Sequence, residues 1–213
     1  MAGQSIDKSS EVLQRDVDKW KSAEDTLTNY RNYISRRDDP FALHYIDLLF
    51  VSNYKGGNSI IGGTEQEVNQ TLTGHSKHLR LINSRFHGKS LQNLSEDEFQ
   101  ELNKLMYKAF EICKDSNSFI KGFGIAYCAA LYHMQFPILI PLIDRRVLIN
   151  SGIVDSNNKK LFAGTQVKHM ESYYQELTAR IYQDVKVTGQ FEDIRAWDRY
   201  YFIQNLTRKL NEL

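Results

Sequence analysis

The sequence predicts an all-α fold, and three observations support that prediction. Apolar residues recur at spacings of three and four along most of the chain and rarely alternate with polar ones, which is the period of an amphipathic helix. Helix-start signals precede several of these stretches. The only strand-like run is Ile138 to Ile143, and Pro141 within it lacks the N–H group that a central strand needs. We therefore expect helices throughout, with this run as an extended connector.

Composition fits a folded globular chain. The protein has 213 residues, of which 41% are hydrophobic and 25% charged, with only 3 Pro and 12 Gly, so disordered and collagenous classes are excluded. Its two cysteines, Cys113 and Cys128, lie in apolar helical stretches and are expected to be buried thiols. Two cysteines cannot hold a four-cysteine iron–sulfur cluster or a zinc ribbon. A reducing compartment is therefore expected.

The sequence also restricts where the protein is expected to be located and which partners it is expected to bind. No apolar run approaches the ~18 to 20 residues that span a bilayer, and the first twenty residues are polar and acidic, unlike a secretory signal. We expect a cytoplasmic protein with no membrane partner. The formal net charge is +1, so an anionic partner would have to meet a local basic patch.

The first two helices are predicted on either side of a boundary at residue 38. A stripe from Leu13 to Ile34 predicts a helical extension, residues 1–38. Asp39-Pro40 resembles an N-cap followed by proline at the first helical position, and opens a helix that stops near Gly56-Gly57. No repeat or linker divides the remainder, so residues 39–213 are expected to form a single compact helical domain.

Capping signals predict the next two helices. Thr64 is a candidate N-cap after a turn at Gly62-Gly63. Ser95 and Glu98 form a capping box, in which each side chain bonds the other residue's backbone N–H. The stripes that follow these caps are Val68, Leu72, Leu79 and Ile82 in the first helix, and Phe99, Leu102, Met106 and Phe110 in the second.

The last third of the chain predicts a helical hairpin, a loop and two further helices. The hairpin covers residues 119–135, and a loop that contains Asp144 covers residues 137–147. A long helix is expected from Val167 through Val185, and a final one from Ile194 through Leu210. The alternative for Ile138 to Ile143, a buried parallel strand at an α/β site, lacks the alternating strands and helices such a sheet requires.

Asp144 is a lone carboxylate at the end of the apolar run. Its nearest acidic neighbours in sequence are Asp115 and Asp155, and Arg145 and Arg146 follow it directly. The apolar lead-in would raise its pKa, whereas the arginines and a helix N-terminus would lower it, and both outcomes stay open. A structural alternative is that Asp144 is the N-cap of a helix beginning at Arg145, a role that is compatible with catalysis.

Two glycines precede the helix that leads to Asp144. In Ile120-Lys121-Gly122-Phe123-Gly124 the glycines permit positive φ and let backbone N–H groups approach an anion such as a DNA phosphate. Glycine also ends helices as a C-cap, which is the simpler interpretation. Twenty residues separate Gly124 from Asp144, enough for a helix of about three turns and an extended return beside the hairpin.

This arrangement resembles the helix-hairpin-helix base-excision DNA glycosylase superfamily. The matching segments are residues 120–124 and Pro141 to Val147, with one extra residue between the proline and the aspartate. Residues 39–58, DPFALHYIDLLFVSNYKGGN, resemble the family helix that ends in a polar cluster at the base pocket. The resemblance covers roughly residues 39–153.

The resemblance implies a monofunctional DNA glycosylase for repair or for defence against foreign DNA with modified bases. It would flip a damaged or modified base out of double-stranded DNA and hydrolyse the N-glycosidic bond, with Asp144 as catalytic carboxylate. The lysine that gives some family members lyase activity corresponds to Ala126 here, so no lyase activity is expected. The implied protein is a nucleoid-associated monomer without a required cofactor, although a monovalent cation at the hairpin backbone is compatible with it.

The resemblance and the charge pattern together give the candidate site residues. Between Glu67 and Glu96 the sequence has no acid, which predicts a basic surface, with a solvated helix face as the alternative. Arg145 and Arg146 have structural ion pairs as their alternative. The expected DNA-backbone contacts are Lys121, Gly122, Phe123, Gly124, Arg145, Arg146, Lys77, Arg80 and Arg85. The expected base-pocket residues are Asn53, Tyr54, Asn58, Tyr127 and His133.

Two alternatives and one exclusion complete the prediction. A non-catalytic helix-hairpin-helix module would bind DNA through the same hairpin without chemistry, and a helical protein-interaction domain would have no nucleic-acid partner. His75, His78 and His87 have no carboxylate between Glu67 and Glu96, so no metal site is predicted.

Overall fold

The protein is predominantly helical, as predicted. A computed structural model describes residues 8–57, 59–164 and 166–203. The α-helices of these ranges are α1 (Lys8–Ile34), α2 (Tyr45–Tyr54), α3 (Glu65–Phe86), α4 (Glu96–Lys114), α5 (Ile125–Gln135), α6 (Arg145–Asn150), α7 (Tyr174–Tyr182) and α8 (Ile194–Ile203). A π-helical segment, Gln183–Val187, continues α7. The strands β1 (Phe162–Ala163) and β2 (Gln166–Val167) pair antiparallel, with Phe162 opposite Val167.

Helix α5 lies at the centre of the fold. Every residue from Cys128 to Gln135 is buried, so the helix has no polar face and is enclosed by its neighbours. It packs against α1, α2 and α4. The hydrophobic cluster around it draws on every α-helix of the described residues. Because α5 starts at the hairpin and leads to the connector before Asp144, this core positions both predicted functional segments.

The predicted caps are confirmed. The Thr64 hydroxyl accepts a hydrogen bond from the Glu67 backbone N–H at 3.3 Å, and the Ser95 hydroxyl accepts one from Glu98 at the same distance. Both glutamates return a bond to the backbone N–H of the capping residue. The apolar stripes predicted for α3 and α4 are buried.

The predicted start of α2 at Pro40 is wrong. Residues 39–42 form a turn instead, in which Asp39 Oδ1 accepts a bond from Phe41 N at 2.9 Å. The helix begins at Tyr45, where the His44 backbone N–H donates to Asp47 Oδ2 at 2.6 Å. The Asp39 carboxylate therefore caps a turn rather than a helix. The predicted stop near Gly56 is confirmed, since α2 ends at Tyr54.

The helix predicted from Val167 begins later. Val167 lies in β2, and a 3-10 turn, Met170–Tyr173, precedes α7. His169 has left-handed backbone torsions, φ 49°, which interrupt a helix at that point. The final helix begins at Ile194, as predicted; its expected continuation to Leu210 lies outside the described residues.

Residues 138–143 form no strand, so the prediction of a connector is confirmed. The chain leaves α5 in a turn and then runs without regular structure to Asp144. Leu139, Ile140 and Ile143 are buried and anchor this connector in the core. The Ile138 carbonyl also accepts a hydrogen bond from Leu91 N at 2.9 Å.

Helix α1, the larger part of the predicted extension, belongs to the same core as the rest of the chain. Leu27, Tyr30 and Ile34 are buried, and α1 packs on α2, α5 and α8. The Tyr30 hydroxyl accepts a bond from Gln135 Nε2 at 2.7 Å. The boundary expected at residue 38 does not separate two packing units.

None of the helices in the described ranges is both long enough and apolar enough to span a lipid bilayer.

Candidate active site

Asp144 is the N-cap of α6. Its backbone is extended, and its Oδ1 accepts a hydrogen bond from the Arg146 backbone N–H at 2.8 Å. The structural alternative raised by the sequence is therefore confirmed. The cap uses one carboxylate oxygen only, and the side chain keeps 20% of its surface exposed. The second oxygen, Oδ2, is available to another partner.

That partner is Lys55, which the sequence did not single out. Lys55 is the C-cap of α2, and its ammonium group forms an ion pair with Asp144 Oδ2. Only 11% of the lysine side chain is exposed. The two residues are 89 positions apart. The available signal was position: Lys55 follows Tyr54 directly, inside the segment expected to form the base pocket.

The pair decides the charge of Asp144. Burial acts to raise the pKa of the carboxyl group, but the charge and hydrogen bond of Lys55 oppose it, as do the backbone N–H and guanidinium of Arg146. The net effect is a pKa below the usual value. The carboxylate is therefore ionised at neutral pH. Of the two opposing effects expected from the sequence, the nearby cations outweigh burial in setting the pKa of Asp144.

Asp144 and Lys55 line a cavity of about 450 Å³. This volume lies within the range of small-ligand pockets, roughly 300 to 1,000 Å³. Two aromatic rings, Trp20 of α1 and Phe202 of α8, stand in its wall with their centroids 5.6 Å apart. The other lining residues are Lys19, Ser22, Ala23, Asn53, Tyr54, Gly56, Leu142 and Arg146.

Arg146 forms part of the cavity wall rather than a free basic surface. Its Nη1 lies 3.1 Å from Asp16 Oδ1, and its guanidinium stacks over the Phe202 ring at 4.5 Å. The structural ion pair weighed for this arginine is thus present. Arg145 points elsewhere: it is exposed, and its guanidinium lies 5.9 Å from the Phe162 ring.

A buried polar cluster lies behind the cavity. Arg195 Nη1 donates to the Tyr54 hydroxyl at 3.1 Å and to His133 Nε2 at 2.9 Å, and the guanidinium lies over the Trp20 ring at 4.6 Å. Asp198 Oδ2 is 3.7 Å from Arg195. Burial raises the pKa of Asp198 to about 7; Arg195 lowers it and Asp144 raises it further. The cluster holds Tyr54 and Trp20 in place at the cavity wall.

The predicted base-pocket residues have different positions in the fold. Asn53 and Tyr54 line the cavity, while Asn58 lies outside the described residues. Tyr127, on the first turn of α5, is not part of the cavity lining. His133 is fully buried one layer behind Tyr54; its Nδ1–H donates to the Ile140 carbonyl at 2.7 Å. Burial lowers the pKa of His133 to about 4, so it is neutral at physiological pH.

The glycine hairpin is fastened to the loop that follows α2. Gly62 N donates to the Lys121 carbonyl at 2.9 Å, and Ser59 Oγ donates to the Gly122 carbonyl at 2.6 Å. Gly122 has φ +85°, and a Cβ atom there would lie 2.3 Å from the Ile60 carbonyl oxygen. Glycine is therefore required by the close approach of two chain segments as well as by the turn.

The hairpin backbone leaves N–H groups free at the start of α5. Gly124 is the N-cap with φ −89°, and a Cβ atom there would meet nothing within 4 Å. Within the described ranges, no acceptor takes the backbone N–H groups of Gly124 and Ile125. Lys121 is exposed beside them, whereas Phe123 is buried and packs against His75, so only its backbone remains for the predicted DNA contact.

The predicted basic surface on α3 is largely compensated by acids from distant parts of the sequence. Arg80 is paired with Asp39, and Arg85 lies 3.6 Å from Glu101. Lys77 is exposed on the same helix. The absence of acids between Glu67 and Glu96 in the sequence thus does not translate into an uncompensated patch in space.

The carbonyls at the turn of the glycine hairpin are engaged in hydrogen bonds within the protein. The carbonyls of Ile120, Lys121 and Gly122 each accept a hydrogen bond from a protein donor. Among the described residues, no three His, Cys, Asp or Glu side chains lie together in a group that could hold a metal ion.

Comparisons with family models, with curated proteins and with solved structures find no match for this chain.

Proposed function

We propose that the protein is a monofunctional DNA glycosylase that turns a damaged or modified base out of double-stranded DNA and hydrolyses its N-glycosidic bond. The observation that carries this proposal is an ionised carboxylate, Asp144, at the wall of a cavity with two aromatic rings. Loss of the base leaves positive charge on the sugar, and a nearby carboxylate stabilises that charge or activates the attacking water.

The cavity offers contacts suited to a nucleobase. Trp20 and Phe202 give the cavity wall aromatic surface on which a flipped base can stack, and the Asn53 amide belongs to the same wall. Asn53 Nδ2 donates to Thr26 Oγ1 at 3.2 Å, which orients the amide within the wall. The aromatic rings would provide affinity for any base, and the Asn53 amide would select among bases by hydrogen bonding.

The loop between the cavity and the hairpin supports a role on a duplex. It starts at Lys55, beside Asp144, and reaches Gly62, which is bonded to the hairpin. Ile60 in this loop is 89% exposed. Proteins that distort DNA insert such apolar side chains between base steps, and the free N–H groups of the hairpin suit a phosphate close by.

Mass-spectrometric detection of free bases tests the proposal. DNA carrying a panel of damaged and naturally modified nucleotides would be incubated with the wild type, with Asp144→Asn and with the control Asp155→Asn, which changes an exposed aspartate in a loop. We expect release by the wild type and by Asp155→Asn, and none by Asp144→Asn, which should still bind DNA.

A non-catalytic DNA-binding module gives a different result in the same experiment. Duplex binding would then be present, no base would be released from any substrate, and Asp144→Asn would change only stability or affinity. A protein-interaction domain would show neither release nor duplex binding.

The position of Lys55, in the cavity wall beside Asp144, favours a second candidate activity. After loss of a proton, the Lys55 amine can add to the C1′ aldehyde of an opened abasic sugar; water leaves and an imine forms. Borohydride would reduce that imine to a stable protein–DNA adduct. The monofunctional proposal expects no adduct. The second candidate expects one that disappears in Lys55→Gln and persists in Lys104→Gln, an exposed lysine on α4.

A further inference from the structure

The segment between α6 and α7 contains three exposed lysines that form no ion pair with an acid among the described residues. We call residues 158–164 and 166–169 the lysine hairpin; it comprises a 3-10 turn, Lys159–Leu161, followed by the paired strands β1 and β2. Lys159, Lys160 and Lys168 are exposed, and the sequence has no acid between Asp155 and Glu171. None of the three lysines has an acidic partner within the described part of the chain. This differs from α3, whose arginines are paired.

Hydrogen bonds and packing against the core hold the lysine hairpin in place. Lys168 N donates to the Leu161 carbonyl at 2.9 Å, and its Nζ donates to the Lys160 carbonyl at 3.2 Å. Val167 is buried, and Phe162 packs against the core. Anchoring on one face holds the lysine side chains on the opposite, solvent-facing side.

One contact joins the lysine hairpin to the residue that follows Asp144 in the chain. Arg145 directly follows Asp144, and its guanidinium lies 5.9 Å from the Phe162 ring at the base of the lysine hairpin. Arg145 is exposed and has no acidic partner among the described residues. Arg145 and the three lysines are thus four exposed cations that have no acidic partner in the part of the chain that the structure describes.

We infer that the lysine hairpin, together with Arg145, binds the sugar-phosphate backbone of the nucleic acid whose base enters the cavity at Asp144. This inference rests on the proposed function. Lysine ammonium groups suit phosphate as compact point charges, and such contacts supply much of the affinity for a duplex without reading its sequence.

Fluorescence anisotropy with a matched pair of variants tests the inference. The probe is a labelled duplex of about 30 base pairs with a non-hydrolysable abasic-site analogue, titrated between about 50 and about 200 mM salt. Lys159→Gln/Lys160→Gln removes two charges from the lysine hairpin, and Lys104→Gln/Lys108→Gln removes two exposed charges from α4. Circular dichroism confirms folding, and Lys159→Arg/Lys160→Arg keeps the charge.

Each outcome decides the inference. We expect the lysine-hairpin variant to bind about 10- to 30-fold more weakly, with a salt slope shallower by about two, while the α4 and arginine variants resemble the wild type. If every variant binds the duplex as tightly as the wild type, the inference is overturned and the glycosylase proposal stands. A wild type that binds no duplex would overturn both. Base release with the Asp144→Asn contrast, measured separately, reports on the glycosylase proposal alone.

Discussion

At the scale of residues, the proposed chemistry depends on two side chains, Lys55 and Asp144, that the fold brings together from distant positions. Asp144 was recognisable in the sequence because a lone acid after an apolar run stands out and fits an N-cap. Lys55 was not recognisable, since a lysine after a helix is common and no period links it to a carboxylate 89 residues away. Only the packing of α2 beside the connector reveals the pair.

The ion pair predicts how activity responds to pH. The pKa of Asp144 in the folded protein is lower than the usual carboxyl value of 3.8. The stabilisation from the ion pair is therefore fully present above pH 3.8. It is lost as the pH falls through the lower pKa of the folded state. In Lys55→Met the ammonium is gone and burial is opposed by Arg146 alone, so the pKa should rise. The acid limb of the rate profile for base release should then move to higher pH.

Single-turnover rates across pH measure that shift. Lys104→Met, which removes an exposed ammonium on α4, is the control and should keep the wild-type profile. A Lys55→Met profile that superimposes on the wild type would show that Lys55 does not control the ionisation of Asp144.

At the scale of elements, the sequence predicted caps well and helix starts less well. Thr64 and Ser95 were identified because a capping box is local and its partner lies three residues away. Asp39-Pro40 carries the same kind of signal, but its carboxylate is used by a turn and by Arg80, a residue of another helix. Val167 has the right apolar spacing for α7, yet it pairs in a strand, which short-range periodicity does not distinguish.

The two hairpin glycines should respond differently to alanine. Gly122→Ala places a Cβ atom 2.3 Å from the Ile60 carbonyl at a positive φ, so the free energy of unfolding should fall by at least about 2 kcal/mol. Gly124→Ala meets open space at φ −89°, so its cost should stay below about 1 kcal/mol. Urea denaturation measures both.

Duplex affinity separates the roles of the same two positions. A Cβ atom at Gly124 stands beside the free N–H groups of α5 and should weaken binding to the abasic-site duplex in a folded protein. If Gly124→Ala binds the duplex as tightly as the wild type, the hairpin N–H groups do not contact phosphate. A stable Gly122→Ala would contradict the packing of the loop on the hairpin.

At the scale of the whole molecule, α1 is part of the fold rather than an addition to it. Burying a large apolar side chain contributes about 1.5 to 3 kcal/mol, and Leu27, Tyr30 and Ile34 are all buried. Their sum is comparable with the net stability of a domain, about 5 to 15 kcal/mol. A chain of residues 39–213 should therefore show no cooperative thermal transition by circular dichroism.

Point variants on α1 keep this prediction testable if the shortened chain aggregates. Tyr30→Ala should lower the free energy of unfolding by about 3 to 5 kcal/mol, whereas Asp18→Ala, at an exposed position of the same helix, should change it by less than about 0.5 kcal/mol. A sharp melt of residues 39–213 would contradict the role assigned to α1.

The distribution of charge on the surface is the property for which the folded structure differs most from the sequence prediction. Every charged side chain between Glu67 and Glu96 is basic. Asp39 and Glu101 lie outside this interval in the sequence, but they pair with Arg80 and Arg85 in the fold. Ion pairing between distant segments leaves no trace in local composition. The helical class, by contrast, depends on local period and caps, and for that reason it was predictable.

The loop from Lys55 to Gly62 has a consequence for how such a chain can change over evolutionary time. Its first residue is paired with Asp144, and its last is bonded to the Lys121 carbonyl. An insertion or deletion between these anchors would move either the ammonium from the carboxylate or the loop from the hairpin. We therefore expect relatives of this chain to vary in the side chain at Ile60 while keeping the number of residues between the two anchors constant.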